Sequence, residues 1–469
     1  MATTLLRNIS WLYSCDKDDS VLENAYVQVT DGSITALGLE PCPVPAADEE
    51  IDLKGHLVTP GLINLHHHFY QSLTRAVPEA DRTNAMEWLF ALYPLWAELN
   101  PEALYWASMT AMGELAKSGC TTAVDHSYLM PGGSPDYVHN QVAAARKIGM
   151  RFHLVRGSMI TIEGDLAARL KPVLGDRLGR LLDDEASLQQ RLEEALLLHD
   201  PSRLSMLRIA LGPTGVTYSR PELMKTTALM ADRAGAGLHT HFHPREIERA
   251  YSRKTTGMEP IDFLEASGWL RPGTWMAHCT EITDEEIRRF AAAGVGIAHC
   301  PRTLVRLGYN MSRIFKWRSA GVNVGIGVDG SASNDGGSLL SDLRLAAVLH
   351  RLNDGEGDIK SRWMTPYDAL LMATRNGARV LQRDDIGALA PAMAADIAAF
   401  DMRRLCYVGS LADPLGGLML AGTEPDAGMT MIAGKVIVRE GRLISVDEAD
   451  IISNGNRNAK LLRDRFASV

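Results

Sequence analysis

Imidazole and carboxylate side chains recur at the ends of strand-like runs along this chain, in a spacing that suits a divalent ion. The first group is Asn64-Leu65-His66-His67-His68. Side chains alternate along an extended strand, so His66 and His68 face one side, His67 faces the other, and two imidazoles can share one ion. Alone this pair is a weak signal, because histidines two apart on a strand often only line a polar core. Further groups follow at His239-Thr240-His241-Phe242-His243, at His278, at His299-Cys300-Pro301 and at Asp329. Nitrogen and oxygen donors brought together from separate strands suit zinc or iron.

What has to bring them together is a closed parallel sheet. From residue 59 to residue 389, apolar strand-like runs alternate with amphipathic helical stretches, the rhythm of βα units. The runs are HLVTPGLINLHHH, TTAVDHS, RFHLVRGSM, LRIALGPTG, AGLHTHFH, TWMAHC, GVGIAHCP and VNVGIGVDGS, the eight that a (β/α)8 barrel needs. The polar groups above fall at the C-terminal ends of these runs, the edge at which barrel enzymes build their sites. Helix boundaries are signalled too. Asn100-Pro101 marks an N-cap before a helix ending at Gly119, and Thr283 with Glu286 has capping-box spacing before a stop at Gly294.

Length leaves room for a second module, since a barrel takes about 250 residues and the chain has 469. Residues 1–58 carry short β-rich runs around the turn signal Asp31-Gly32, and residues 390–469 carry similar runs around Gly434 and Gly441. The two ends are expected to form one small discontinuous β-sandwich domain, with a C-terminal helix. The charge balance of 48 basic and 57 acidic residues, net −9, includes no long basic run, which excludes nucleic-acid and anionic-membrane partners and favours a small molecule. Cys15, Cys42, Cys120, Cys279, Cys300 and Cys406 form no CxxC pair and are expected to be reduced. With no secretory leader pattern and no apolar run of about 18 residues, a soluble cytoplasmic protein is expected.

PGLINLHHHFYQ from Pro60 to Gln71, SGCTTAVDH ending at His126, LHTH ending at His241, the AH at His278, AHCP ending at Pro301 and GVDGSASND from Gly327 to Asp335 occur in a recognisable order. Over essentially the whole chain the sequence resembles the amidohydrolase superfamily and, within it, the deaminase and chlorohydrolase branch. Its texture is similar to that of 8-oxoguanine deaminases and hydroxy-s-triazine (hydroxyatrazine) aminohydrolases, with isoxanthopterin deaminases near by. The resemblance implies that His66, His68, His241 and Asp329 hold a metal and that His278 contacts the water or substrate beside it. Members with two metals bridge them through a carboxylated lysine at the end of the fourth strand. Here that position reads LRIALGPTG and the next lysine is Lys225, so one divalent ion per chain is expected, zinc foremost, iron otherwise. Such an ion brings the pKa of water down towards about 7, and the hydroxide attacks the ring carbon bearing the amine. Asp329 takes the water's proton, and His278 holds the charge developing on oxygen.

The family's general acid is a glutamate in the pattern H-x-x-E, and counted from His241 that position is Pro244. Glu246 completes the same spacing from His243 and is the nominated acid, with His243 as its rival. Gln71 stands where 8-oxoguanine deaminases have a glutamine, and an amide can both donate to and accept from a ring carbonyl and its neighbouring N–H. Arg156, at the end of the third strand, is the candidate for a ring oxygen. Phe69, Tyr70, Trp88, Phe90 and Tyr93 form an aromatic stretch suited to covering a flat ring, although most such residues serve the core. The loops GPTGVTYS and PRTLVRLG depart from the forms usual among the oxopurine enzymes. The expected activity is therefore deamination of an amino-substituted oxo N-heterocycle such as 8-oxoguanine or a pterin. The alternatives are a hydroxy-s-triazine (N-alkyl)aminohydrolase, a cyclic-amide hydrolase and a catalytically silent metal-binding scaffold. Relatives of this kind often assemble as homo-oligomers, and the same is expected here.

Overall fold

Left-handed turn residues and β-branched runs shape both ends of the chain. The structure, a computed structural model, describes residues 2–43, 47–162, 164–215, 219–353, 359–423 and 426–467. The N-terminal segment forms β1 (Thr3–Tyr13), β2 (Val21–Thr30), β3 (Ser33–Leu39), β4 (Glu49–Asp52) and β5 (His56–Pro60). Asp31 and Gly32 take φ of 48° and 81°, the positive values a two-residue hairpin turn requires, and place Thr30 opposite Ser33. Eight strands follow: β6 (Leu62–Asn64), β7 (Cys120–Ser127), β8 (Arg151–Ser158), β9 (Leu207–Pro213), β10 (Gly237–Phe242), β11 (Thr274–His278), β12 (Gly296–His299) and β13 (Val324–Ile326). The C-terminal segment returns as β14 (Ile397–Asp401), β15 (Met429–Ile432), β16 (Lys435–Arg439) and β17 (Arg442–Leu443).

The two ends share one nine-stranded mixed sheet, in the order β17-β16-β15-β14-β5-β1-β2-β3 with β4 beside β1. Antiparallel pairing of β14 with β5 joins the segments. The sheet has an apolar core of its own, to which Leu6, Ile9, Val27, Val58, Ile397 and Met431 contribute. The C-terminal helix Glu448–Ala467 lies along the barrel helix Pro101–Lys117, tied to it by Lys117–Glu448 and Arg457–Glu102 pairs, and Glu448 also accepts from Leu443 N of β17 at 2.7 Å.

β6 to β13 form the second sheet, parallel throughout and in sequence order. Hydrogen bonds from Leu65 N to Ile326 O and from Asp329 N to His66 O join its last strand to its first. Alternation along the strands gives an inner layer of Ile63, Leu65, Val124, Val155, Ala210, Trp275 and Ala298. The first expected strand is divided: β5 belongs to the terminal sheet, and the chain enters the barrel at Gly61, where a Cβ would lie 2.1 Å from the Thr121 side chain. The expected caps are present. Asn100 accepts from Ala103 N, while Thr283 and Glu286 form a reciprocal capping box on the helix Asp284–Ala293, which Gly294 ends at φ 69°. Among the described residues no helix is long and apolar enough to cross a membrane.

Candidate metal centre and active site

The imidazoles at the barrel's C-terminal edge have their protonation pattern set by carbonyl oxygens, which can only accept. His68 Nδ1 lies 2.8 Å from His126 O and His241 Nδ1 lies 2.5 Å from Thr214 O, so both Nδ1 atoms carry the proton. His239 Nδ1 donates to Trp275 O at 2.9 Å, which leaves its Nε2 to accept from His66 Nδ1 at 2.7 Å. In all three of His66, His68 and His241 the Nε2 is therefore a bare lone pair. The Nε2 atoms of His68 and His241 are 3.1 Å apart, a separation that two acceptors hold only with something positive between them. His66 Nε2 is buried without a hydrogen-bond partner, 3.4 Å from Asp329 Oδ1, and His68 Nε2 is 3.5 Å from the same oxygen. Donor atoms of His66, His68, His126 and His241 lie within 4.8 Å of one another, as do those of His66, His278 and Asp329. The array fits a divalent ion: neutral nitrogen and anionic oxygen donors in a dry site, each ligand ring steadied by a partner on its far nitrogen.

Burial drives these imidazoles towards the neutral form that a metal requires: His68 and His241 are pushed down to about 4, and His66 and His126 are held well below the usual imidazole value. Burial alone would raise the Asp329 carboxyl, but the adjacent His66, His278 and His68 imidazoles hold it well below the usual carboxylate range. Asp329 and His278 both sit at left-handed φ, 63° and 74°, a conformation unfavourable for side chains of L-residues and tolerated where surrounding contacts dictate it. His278 Nε2 is thereby brought to 3.9 Å from Asp329 Oδ2. Its ring stacks on His241 on one side and on His243 on the other, at 5.5 and 4.5 Å between centroids, and Tyr309 continues the stack beyond His243 at 4.7 Å.

Comparison with known proteins accords with this geometry. Residues 57–437 match the profile described as the Amidohydrolase family. The chain belongs to the amidohydrolase family. It is similar to an 8-oxoguanine deaminase of Pseudomonas aeruginosa, 37% identical with 98% of this chain and 99% of that one covered. It is 35% identical to a hydroxydechloroatrazine ethylaminohydrolase of a Pseudomonas species, with 96% and 94% covered. Among solved structures, the atrazine chlorohydrolase of Arthrobacter aurescens complexed with zinc superposes with a TM-score of 0.90 at 33% identity, covering 97% of this chain and 100% of that one. This amidohydrolase is an enzyme, a hydrolase of carbon–nitrogen bonds other than peptide bonds.

Of the residues singled out from sequence, the amidohydrolase barrel brings His66, His68, His241, His278 and Asp329 together. Gln71 is also at the site: its Oε1 accepts from Ala332 N at 3.3 Å, and its carboxamide fills the space against Gly330, where a Cβ would lie 1.9 Å away. Glu246 is not there. It opens the helix Glu246–Thr256 on the outward face, its side chain is 79% exposed, and it pairs with Arg253 at 2.5 Å. Glu248, two residues on, turns inward instead and is held by Arg245. Arg156 is likewise turned away. Val155 occupies the inner layer, so Arg156 points outward between strand and helices, where it pairs with Asp183 at 2.7 Å. Phe69 and Tyr70 are fully buried, and Tyr70, Trp88 and Tyr93 pack around Trp96 beside the site. Residues 216–218 of the GPTGVTYS loop lie outside the described residues.

Two residues at the site, His126 and His239, stand in the sequence motifs without an assigned role. Both carry a legible signal, because each lies two positions from an inner-face residue on a barrel strand: His126 from Val124, and His239 from His241. β9 holds no lysine, and Lys225 is in the helix Pro221–Ala234.

Proposed function

We propose that this enzyme is a mononuclear metal-dependent deaminase of an amino-substituted oxo N-heterocycle such as 8-oxoguanine or a pterin. The observation that carries the reading is Gln71, a buried carboxamide packed against Gly330, the residue that follows Asp329 in the chain, beside a set of lone pairs that would hold one ion. An amide there matches the adjoining carbonyl and N–H of an oxidised ring. The activities of the relatives named above point the same way.

His66, His68, His241 and Asp329 would hold the ion, zinc foremost and iron otherwise; bound there, it supplies a hydroxide at neutral pH. Asp329 Oδ2 is placed to take the proton released from water. His278 Nε2, facing Asp329, is placed to steady negative charge on the substrate-derived oxygen. The ring nitrogen must gain a proton before the amine departs; we assign His243, stacked on His278 and neutral, to relay to it the proton that Asp329 takes from water, a task for which Glu246 is too far out in solvent. The reading keeps the protein in the cytoplasm, where its six unpaired cysteines stay reduced, and leaves a homo-oligomer as the expected assembly.

A hydroxy-s-triazine substrate is the second reading, favoured by the 35% identity to an ethylaminohydrolase over nearly the full chain. Ammonia and alkylamine release measured against 8-oxoguanine, aminopterins and N-alkyl hydroxytriazines, on zinc-loaded protein, separates the two. Turnover of the oxopurine or pterin with ammonia as product is expected. Turnover of the triazines alone would replace the first reading with the second, and metal binding without any turnover would leave a silent scaffold.

A further inference from the structure

His126 ends the inner face of β7 and takes no part in the reaction outlined above. Its posture is fixed on three sides. Its backbone N–H donates to His67 O at 2.8 Å. Neighbouring Asp125 is turned outward, where Phe69 N and Gln141 Nε2 bind its carboxylate. The His126 ring Nε2 lies 2.9 Å from Gly212 O. A carbonyl oxygen cannot donate, so Nε2 carries the ring proton and Nδ1 is a lone pair. That Nδ1 is buried and without a hydrogen-bond partner.

A buried acceptor with nothing to accept from costs a large part of its hydration free energy, and here it adjoins three imidazoles whose own lone pairs point inward. His126 belongs to the same 4.8 Å donor set as His66, His68 and His241, with ring centroids 6.0, 5.6 and 5.0 Å from theirs. Only a cation satisfies all four at once. Resting on the metal-dependent reading above, we propose that His126 Nδ1 is a further ligand of the ion, completing a site of four imidazoles and the Asp329 carboxylate.

Two isosteric substitutions separate a ligand from a brace. Glutamine places its amide nitrogen near the position of Nε2 and keeps the bond to Gly212 O while removing the Nδ1 donor. Asparagine places its carbonyl oxygen near the position of Nδ1 and gives up the bond to Gly212. Zinc affinity is measured by competition with a chromophoric chelator, and thermal unfolding of the metal-free proteins checks that each variant folds. If His126 is a ligand, His126→Gln weakens zinc binding by more than about a hundredfold, beyond the 10–100-fold range of outer-sphere partners, and His126→Asn is the milder change. If His126→Gln binds zinc like the wild type, or if His126→Asn binds as weakly as or more weakly than His126→Gln, the imidazole braces Gly212 and the proposal falls. His66→Ala in the same titration reports on the underlying reading: equal, weak binding by wild type and His66→Ala would remove the metal centre altogether, and this proposal with it.

Discussion

Two side chains downstream of His241 compete for the proton that the leaving amine needs, and their surroundings separate them. His243 is stacked between His278 and Tyr309, with Nδ1 3.3 Å from Thr280 Oγ1, whereas the Glu246 carboxylate faces water beside Arg253. His243→Asn should keep its zinc and lose turnover by at least about a hundredfold, the scale of a general acid or base, while Glu246→Gln should work almost normally. Steady-state kinetics with metal analysis of both variants tests this, and an inactive, zinc-loaded Glu246→Gln would reverse the assignment. His66 and His68 were legible as a pair from their spacing, although β6 ends at Asn64 and both lie in the loop beyond it, so a break in the alternation that turns Ile63 and Leu65 inward is what delivers them to the site. Glu246 was not, because the facing of a helical residue depends on where the helix starts, and Pro244 and Arg245 start it so that Glu248 is the carboxylate turned inward. Arg156 failed for a related reason, being on the wrong parity of β8. Gln71→Ala should lower kcat/KM for oxo-substituted rings by about 1–3 kcal/mol in transition-state stabilisation. Arg156→Ala should instead lower the urea midpoint by removing the nearer of the two arginines that face buried Asp183, and a change in kcat/KM without one would return Arg156 to the site.

Strand ends deliver the donors, and what spaces them is the close approach of neighbouring backbone. Gly327 precedes Asp329 by two residues, and a Cβ on it would lie 2.8 Å from His66 Cβ and 3.0 Å from His66 N. The glycine lets β13 lie against the end of β6, so that Asp329 reaches the lone pairs of His66 and His68. All eight barrel strands were foreseen from alternation and turn residues. Two tertiary features were not: the handover of the first strand at Gly61, and the packing of the C-terminal helix on Pro101–Lys117. Both depend on contacts between distant segments that local pattern does not encode. The same holds for the clamp between the two sheets, in which Arg151, at the start of β8, binds both oxygens of Asp396 at 2.7 and 3.0 Å with both side chains buried. Asp396→Ala would leave the guanidinium unpaired and should cost about 3–5 kcal/mol. Equilibrium urea unfolding measures it, and a loss below about 1 kcal/mol would show that the clamp contributes orientation without stability.

At the scale of the whole molecule, a cluster of neutral imidazoles buried at one end of the barrel makes folding itself depend on pH. Burial pushes His68 and His241 down to about 4, and it lowers His66, His126, His239, His243 and His278 in the same direction. In the unfolded chain each would titrate near about 6.5. Between those values the unfolded state binds more protons than the folded one, so stability rises with pH there. The contribution of each imidazole is complete above about pH 6.5 and is lost as the pH falls towards about 4. For the metal-free protein, moving from pH 7.5 to pH 5 should cost about 2 kcal/mol for each of His68 and His241. Bound metal competes with protons for the same lone pairs, so zinc should shift the loss to lower pH and itself dissociate across that window. Urea unfolding of metal-free and zinc-loaded protein at the two pH values tests the linkage. Equal stability of the metal-free protein at pH 7.5 and pH 5 would mean that these imidazoles are not held neutral by burial.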